Sequence, residues 1–151
     1  MGQWNAFQEF QQQRLVTDLS VSNFSPVQLD YILQSSSKCA KPVVNQLPFS
    51  IANHPKGLLT ENTRRGIHVQ SWSPLSTTLP RYRKELESIG RKYNKSAAQV
   101  ALRWILQRGG SFCTQSKKKE HFKENLDVFG FTLSDADVDQ LVSLAPPRVL
   151  G

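Results

Sequence analysis

A short apolar strand, a polar strand end and a helix start follow one another in Val21-Ser22-Asn23-Phe24-Ser25-Pro26, and the same order recurs along the chain. Ser25 offers the side-chain acceptor of an N-cap. Pro26 has the fixed φ that suits a first helical position, so a helix is expected from there to about Ser36. Pro42-Val43-Val44-Asn45-Gln46 is a second apolar run closing on polar side chains, Ile67 to Ser71 a third, and Ser111 to Thr114 a fourth. Strands separated by helices predict parallel βαβ units, because parallel neighbours need a long crossover and that crossover is right-handed. The carboxyl ends of such strands share one face, where parallel α/β folds hold their ligands.

Between the strands the helices are legible from spacing and caps. Trp4, Phe7, Phe10 and, less strictly, Leu15 recur at helical spacing among glutamines, which predicts an amphipathic helix from Gly2 to Leu15. Residues 48–60 read as loop, followed by a short helix to Arg65 that Gly66 ends. Trp72-Ser73-Pro74-Leu75 reads as a loop, Arg83 to Tyr93 as a helix stopped by Asn94, and Ser96 as the cap of an apolar helix through Val100, Trp104 and Ile105 ending at Gly109-Gly110. A helix is expected from Lys119 to Leu126, and Thr132-Leu133-Ser134 leads into a last one ending near Leu144, closed by Pro146-Pro147.

Composition narrows the function classes. At 151 residues the chain fits one domain, with no second one expected. No apolar run reaches the roughly 18 residues of a membrane span, and the first residues lack the order of a signal peptide, so a cytoplasmic setting is expected. Cys39 and Cys113 have no CxxC spacing, which suggests neither a disulfide framework nor a metal site, and both read as buried small side chains. The net charge of +7 is concentrated after residue 63, in Arg64-Arg65, Arg81, Arg83, Lys84, Arg91-Lys92 and Lys117-Lys118-Lys119. Such charge is either a set of solvated helix faces or an attraction for a phosphate-bearing ligand. No RNP, zinc or helix-turn-helix pattern accompanies it, so nucleic acid is not expected as a partner.

The blocks WNAFQEFQQQRLVTDLSVSNFS, KPVVNQLPFS, RRGIHVQSWSPLS, YNKSAAQVALRWILQRG and TQSKKKEHFKENLDVFGFTLSDADV, in this order and spacing, resemble the carboxyl-terminal half of an aldo-keto reductase. The resemblance covers almost the whole chain. It implies half of a (β/α)8 TIM barrel, with four parallel strands and the fourth to eighth helices, as a partial domain over residues 1–151. The implied activity is reduction of aldehydes and ketones with NADPH, and the implied partner is a small carbonyl substrate.

The resemblance also assigns residues. By position, Ser22, Asn23 and Gln46 match the groups that bond the nicotinamide carboxamide, whose donor and acceptor pattern suits hydroxyl and amide partners. Trp72 takes the place of the aromatic that stacks on the nicotinamide. Ser73, Pro74 and Leu75 match the loop along the pyrophosphate, while Gln115, Ser116, His121, Glu124 and Asn125 match the segment around the adenosine and its 2′-phosphate. Taken singly, an amide at a strand end is usually structural and a tryptophan usually core. The family's catalytic Asp, Tyr, Lys and His fall upstream of Gly2 on this alignment. Tyr31, Tyr82 and Tyr93 lie on expected helices, His54 in a loop and His68 at a strand start, so no catalytic residue is assigned.

Three departures mark this chain. Gln115 stands where a basic residue is usual, His121 where Arg is common, and Ser20 where Gly precedes Val21. Lys117 to Lys119 are candidates to compensate, as point charges rather than bidentate forks. Reduction of a carbonyl needs a positioned proton donor, so the chain alone is expected to be inactive. Three states fit: a fragment of an NADPH-dependent reductase, a subunit that completes a barrel by association through its exposed strand edges, or a non-catalytic interaction protein.

Overall fold

The computed structural model describes residues 2–34 and 40–146. The elements run α1 (Gly2–Gln12), β1 (Leu19–Ser22), α2 (Pro26–Gln34), β2 (Pro42–Leu47), α3 (Leu58–Thr63), β3 (His68–Trp72), α4 (Pro74–Tyr93), α5 (Ala97–Gln107), β4 (Ser111–Cys113), α6 (Lys119–Leu126) and α7 (Asp135–Leu144). The strands form one sheet in the order β1-β2-β3-β4. The pairs β1–β2 and β3–β4 are parallel, as the alternation of strand and helix predicts. The expected end of α2 near Ser36, the side chain of Cys39 and the stop at Pro147 lie outside the described residues.

The chain divides into two compact units, residues 1–47 with 59–69, and residues 48–58 with 70–151. In the first, β1 alternates buried Leu19 and Val21 with exposed Ser20 and Ser22, the period-two pattern of a strand with one face in a core. Leu19 and Val21 join Trp4, Leu29, Ile32 and Ile67, with Phe24, Leu33 and Ala40 packed against them. The cap expected at Ser25 forms reciprocally: Gln28 N–H donates to Ser25 Oγ at 3.3 Å, and Ser25 N–H to Gln28 Oε1 at 2.9 Å. Arg65, one of the cations in the basic excess, belongs to this unit's frame. Its Nε and Nη2 donate to the two oxygens of Asp30 at 2.7 and 2.8 Å, and Nη1 donates to Glu61 Oε2 at 2.8 Å. That fork lowers the pKa of both Asp30 and Glu61.

Helix α1 departs from the expected face. Trp4 is buried as expected, but its buried companion is Gln8, one turn on, while Phe7 and Phe10 are 48% and 43% exposed. The side of the helix that meets β1 is the one through positions 4 and 8, and spacing alone does not say which of two overlapping apolar stripes that will be. Leu15 lies past the helix end and is exposed.

In the second unit α4 and α5 pack against each other. Helix α5 is buried almost all round, with Val100, Leu102, Trp104 and Ile105 at 1% exposure or less. Its cap is the capping box expected of Ser96, completed by Gln99. Trp104 meets Phe49 in a tilted contact and His54 edge-on, each at 5.3 Å between ring centroids. A Cβ at Gly90 would overlap the carbonyl oxygen of Lys95, so the α4–α5 turn closes only on glycine. Asp137 of α7 accepts from Lys92 Nζ, Tyr93 Oη and Ser134 Oγ.

Two expectations fail here. Pro74 and Leu75 are helical rather than loop, and the helix expected from Arg83 begins at Pro74, with a break at Tyr82 where φ is −127°. Pro74 is tolerated at the first helical turn, whose N–H groups have no helical partner anyway. Pro80 sits inside the helix and cannot donate to the preceding turn, so the break follows it closely. Cys113, expected to be buried, is exposed, because it ends the three-residue strand β4 where the chain leaves the sheet.

Candidate cofactor site

Each unit gathers its own share of the expected residues. In the first, the register of β1 on β2 sets Ser22 opposite Gln46 and Val21 opposite Asn45. Asn23 then turns the chain with φ 59°, a left-handed conformation that asparagine tolerates better than most residues. Its N–H donates to Gln46 O at 2.8 Å, its Nδ2 to Ser22 Oγ at 3.2 Å, and Ser22 Oγ to the same Gln46 carbonyl at 3.4 Å. Ser22 and Asn23 are exposed and Gln46 half-buried, so a hydroxyl and two amides stand together at the carboxyl ends of two parallel strands.

Beneath them lies a residue that sequence reading had left unassigned. Asn45 is fully buried, and its Nδ2 donates to Phe24 O at 2.9 Å and to Asn62 Oδ1 at 3.1 Å, while Phe24 N–H donates to Asn45 Oδ1 at 3.3 Å. Both ends of this amide hold the backbone just after Asn23. A buried amide must satisfy its polar atoms, and here doing so fixes the Ser22–Phe24 turn. The signal was present as the adjacent amides Asn45-Gln46, since neighbours on a strand point to opposite faces.

In the second unit, register places Trp72 level with Cys113, the last residues of their strands. Trp72 is 39% exposed, unlike the fully buried Trp104 of the same unit. Ser73 follows with φ 49° as N-cap of α4, its side chain making no cap hydrogen bond, and Pro74 is buried at the first helical position. Strained non-glycine conformations of this kind cost of order 1–3 kcal/mol and often accompany ligand sites.

Leu75, Gln115, Ser116, His121, Glu124 and Asn125 line a single cavity of about 580 Å³. Asn125 is buried and donates through Nδ2 to Ser116 Oγ at 3.1 Å, which ties the loop after β4 to α6. Gln99, besides completing its capping box, donates to Glu124 O at 3.2 Å and Asp127 O at 2.8 Å, holding the carboxyl end of α6 on α5. Lys95 Nζ reinforces this at 2.6 Å from Asp127 Oδ2, which lowers the pKa of that carboxyl. Lys118 occupies the N-cap of α6 without a side-chain cap, and Lys117 and Lys118 both face the cavity. Leu79, Arg83 and Glu87 of α4 also line the cavity, and of these only Arg83 was read from sequence, as part of the basic excess and without a place in the site. Local pattern does not bring them to the cavity, because they reach the residues after β4 only through folding.

Strand ends bearing amides and hydroxyls, a partly exposed tryptophan and a polar cavity with cations suit parallel α/β proteins that bind a polar ligand at their strand ends. The model of the aldo/keto reductase family matches residues 2–146, and the chain belongs to that family. It is 33% identical over 154 residues to Protein REDOX 2 of Catharanthus roseus, an alignment covering 97% of this chain and 47% of that protein. It is 35% identical over 148 residues to glyoxal reductase of Bacillus subtilis (strain 168), with 98% and 53% covered. Among solved structures it superposes on an aldo/keto reductase from Brucella melitensis with a TM-score of 0.86 and 32% identity, covering 94% of this chain and 54% of that one. The chain thus spans about half the length of the relatives it matches, and its fold is the corresponding half of a (β/α)8 barrel.

Proposed function

We propose that these residues are the cofactor-holding half of an NADPH-dependent reductase of aldehydes and ketones, a single partial domain working in the cytoplasm on a small carbonyl substrate. The observation that carries the reading is the cavity shared by Gln115, Ser116, His121, Glu124 and Asn125, with Lys117 and Lys118 in its wall. A dinucleotide phosphate fits that chemistry: cations meet phosphate oxygens, while the amide and hydroxyl of Asn125 and Ser116 serve sugar and base. The uncapped start of α6 adds the positive end of a helix dipole.

Each group would have a defined task. Ser22, Asn23 and Gln46 bond the planar carboxamide and so fix the rotation of the ring that bears it. Within the second unit, Trp72 would supply a stacking aromatic, and the Ser73–Leu75 turn would run along the pyrophosphate. The nicotinamide, when bound, supplies the hydride, and the protein's part here is to orient it. No proton donor is assigned within these residues, so carbonyl reduction requires the catalytic set from outside them.

Titration of the purified chain with NADPH, followed by cofactor fluorescence, tests this. Saturable binding is expected, with Trp72→Ala weakening it about tenfold through loss of stacking. Absence of saturable binding up to millimolar NADPH would leave family membership without a working cofactor site.

A further inference from the structure

Arg83 lies between two of the blocks that carry the family resemblance, RRGIHVQSWSPLS and YNKSAAQVALRWILQRG, and has no role assigned by it, yet it lines the cavity of Gln115, Ser116 and His121. It lies one residue past the α4 break and, with Glu87, lines the cavity to which the loop after β4 and α6 also contribute. Gln115 and His121 line the same cavity, at positions where the family resemblance implies cations. The nearest replacement charges on the loop, Lys117 and Lys118, are exposed, and no ion pair holds either among the described residues. Arg83 is held only loosely. Its Nη1 is 3.8 Å from Glu87 Oε1, with both side chains about half exposed at 60% and 48%. An i,i+4 pair of that kind contributes about 0.3–0.5 kcal/mol, so it yields readily to a better anion.

We infer that Arg83 is a specificity-determining residue for the 2′-phosphate, reaching across the cavity from α4 to replace the charges lost at Gln115 and His121. The inference rests on the cofactor reading above and goes beyond it, because it assigns the discrimination between NADPH and NADH to a residue that the resemblance leaves without a role. The chemistry favours arginine for this task. A phosphate monoester dianion accepts two parallel N–H bonds from a guanidinium, a stronger and more directional contact than a lysine point charge makes. Glu87 then acts as the competitor: it parks the guanidinium when no phosphate is present and repels the dianion when Arg83 is removed.

The test compares the 151-residue chain with Arg83→Gln and Arg83→Lys, titrating NADPH, NADH and 2′,5′-ADP. Arg83→Gln is expected to weaken NADPH and 2′,5′-ADP about tenfold while leaving NADH within about twofold, and Arg83→Lys to recover part of the loss. The NADPH effect should shrink as salt is raised. Equal weakening of NADPH and NADH, or no change in either, would overturn the assignment while leaving the cofactor reading intact. A wild-type chain that binds neither dinucleotide would remove the cofactor reading, and this inference with it.

Discussion

Amide side chains meet two fates in this molecule. At the end of β2 in the first unit, Asn45 is fully buried and bonded through both its oxygen and its nitrogen, to Phe24 and Asn62. After β4 in the second unit, Gln115 is exposed on the wall of an open cavity. The first spends its hydrogen-bonding capacity on shaping the chain, and the second keeps it for solvent or a ligand. A buried polar network is worth keeping only when complete, since each orphaned partner then costs its desolvation. An exposed one can change at little structural cost.

The contrast breaks most readily at Asn45. Asn45→Leu should destabilise the chain by about 2–3 kcal/mol, because Asn62 Oδ1 and both backbone groups of Phe24 lose their partner; the shift of the urea midpoint measures it. A loss below about 0.5 kcal/mol would mean that the network is ornamental. Asp137→Asn in the second unit should cost about 1 kcal/mol at neutral pH, since one of its three partners, Lys92, is largely exposed. Hydrogen bonds from Lys92, then Tyr93, hold the Asp137 carboxyl below the usual 3.8. A depressed folded pKa stabilises above the unfolded value and is lost as pH falls through the folded one. The gap between wild type and Asp137→Asn should therefore be constant above pH 3.8 and close below it, as acid unfolding curves would show.

At the cavity and the strand-end cluster the effects should move from stability to binding. Ser22→Ala is expected to leave stability within about 0.5 kcal/mol and to weaken NADPH about threefold, by loss of one neutral hydrogen bond. Gln115→Arg sharpens the comparison from the other side: stability unchanged within about 0.5 kcal/mol, and NADPH tightened about twofold over NADH. If Gln115→Arg instead lowered the thermal midpoint by several degrees, Gln115 would belong with Asn45 as a structural amide.

Much of the frame was legible from local chemistry. Ser25, Ser96 and Ser134 each accept from the N–H three residues on, because an N-cap is satisfied by the turn it starts. The bounds of α6 match expectation to the residue. Expectation failed where two local signals competed. Pro74 read as a loop residue and the helix was expected only from Arg83, yet Pro74 opens α4 and Pro80 sits within it. Phe7 and Phe10 read as core, yet the face of α1 that meets β1 runs through Trp4 and Gln8.

By itself the sequence determined the order of strands and helices, the caps that start them and the family, because all three are written in neighbours a few residues apart. Tertiary structure alone decided which polar groups are internal and which are offered. Arg65 looked like part of a basic surface and proves to clamp Asp30 and Glu61, whereas Arg83 looked like another helix-face cation and proves to line the cavity with α6. The two arginines have the same chemistry and similar neighbours in sequence. What separates them is the charge and the space that folding brings to each from distant parts of the chain, and no local pattern encodes that.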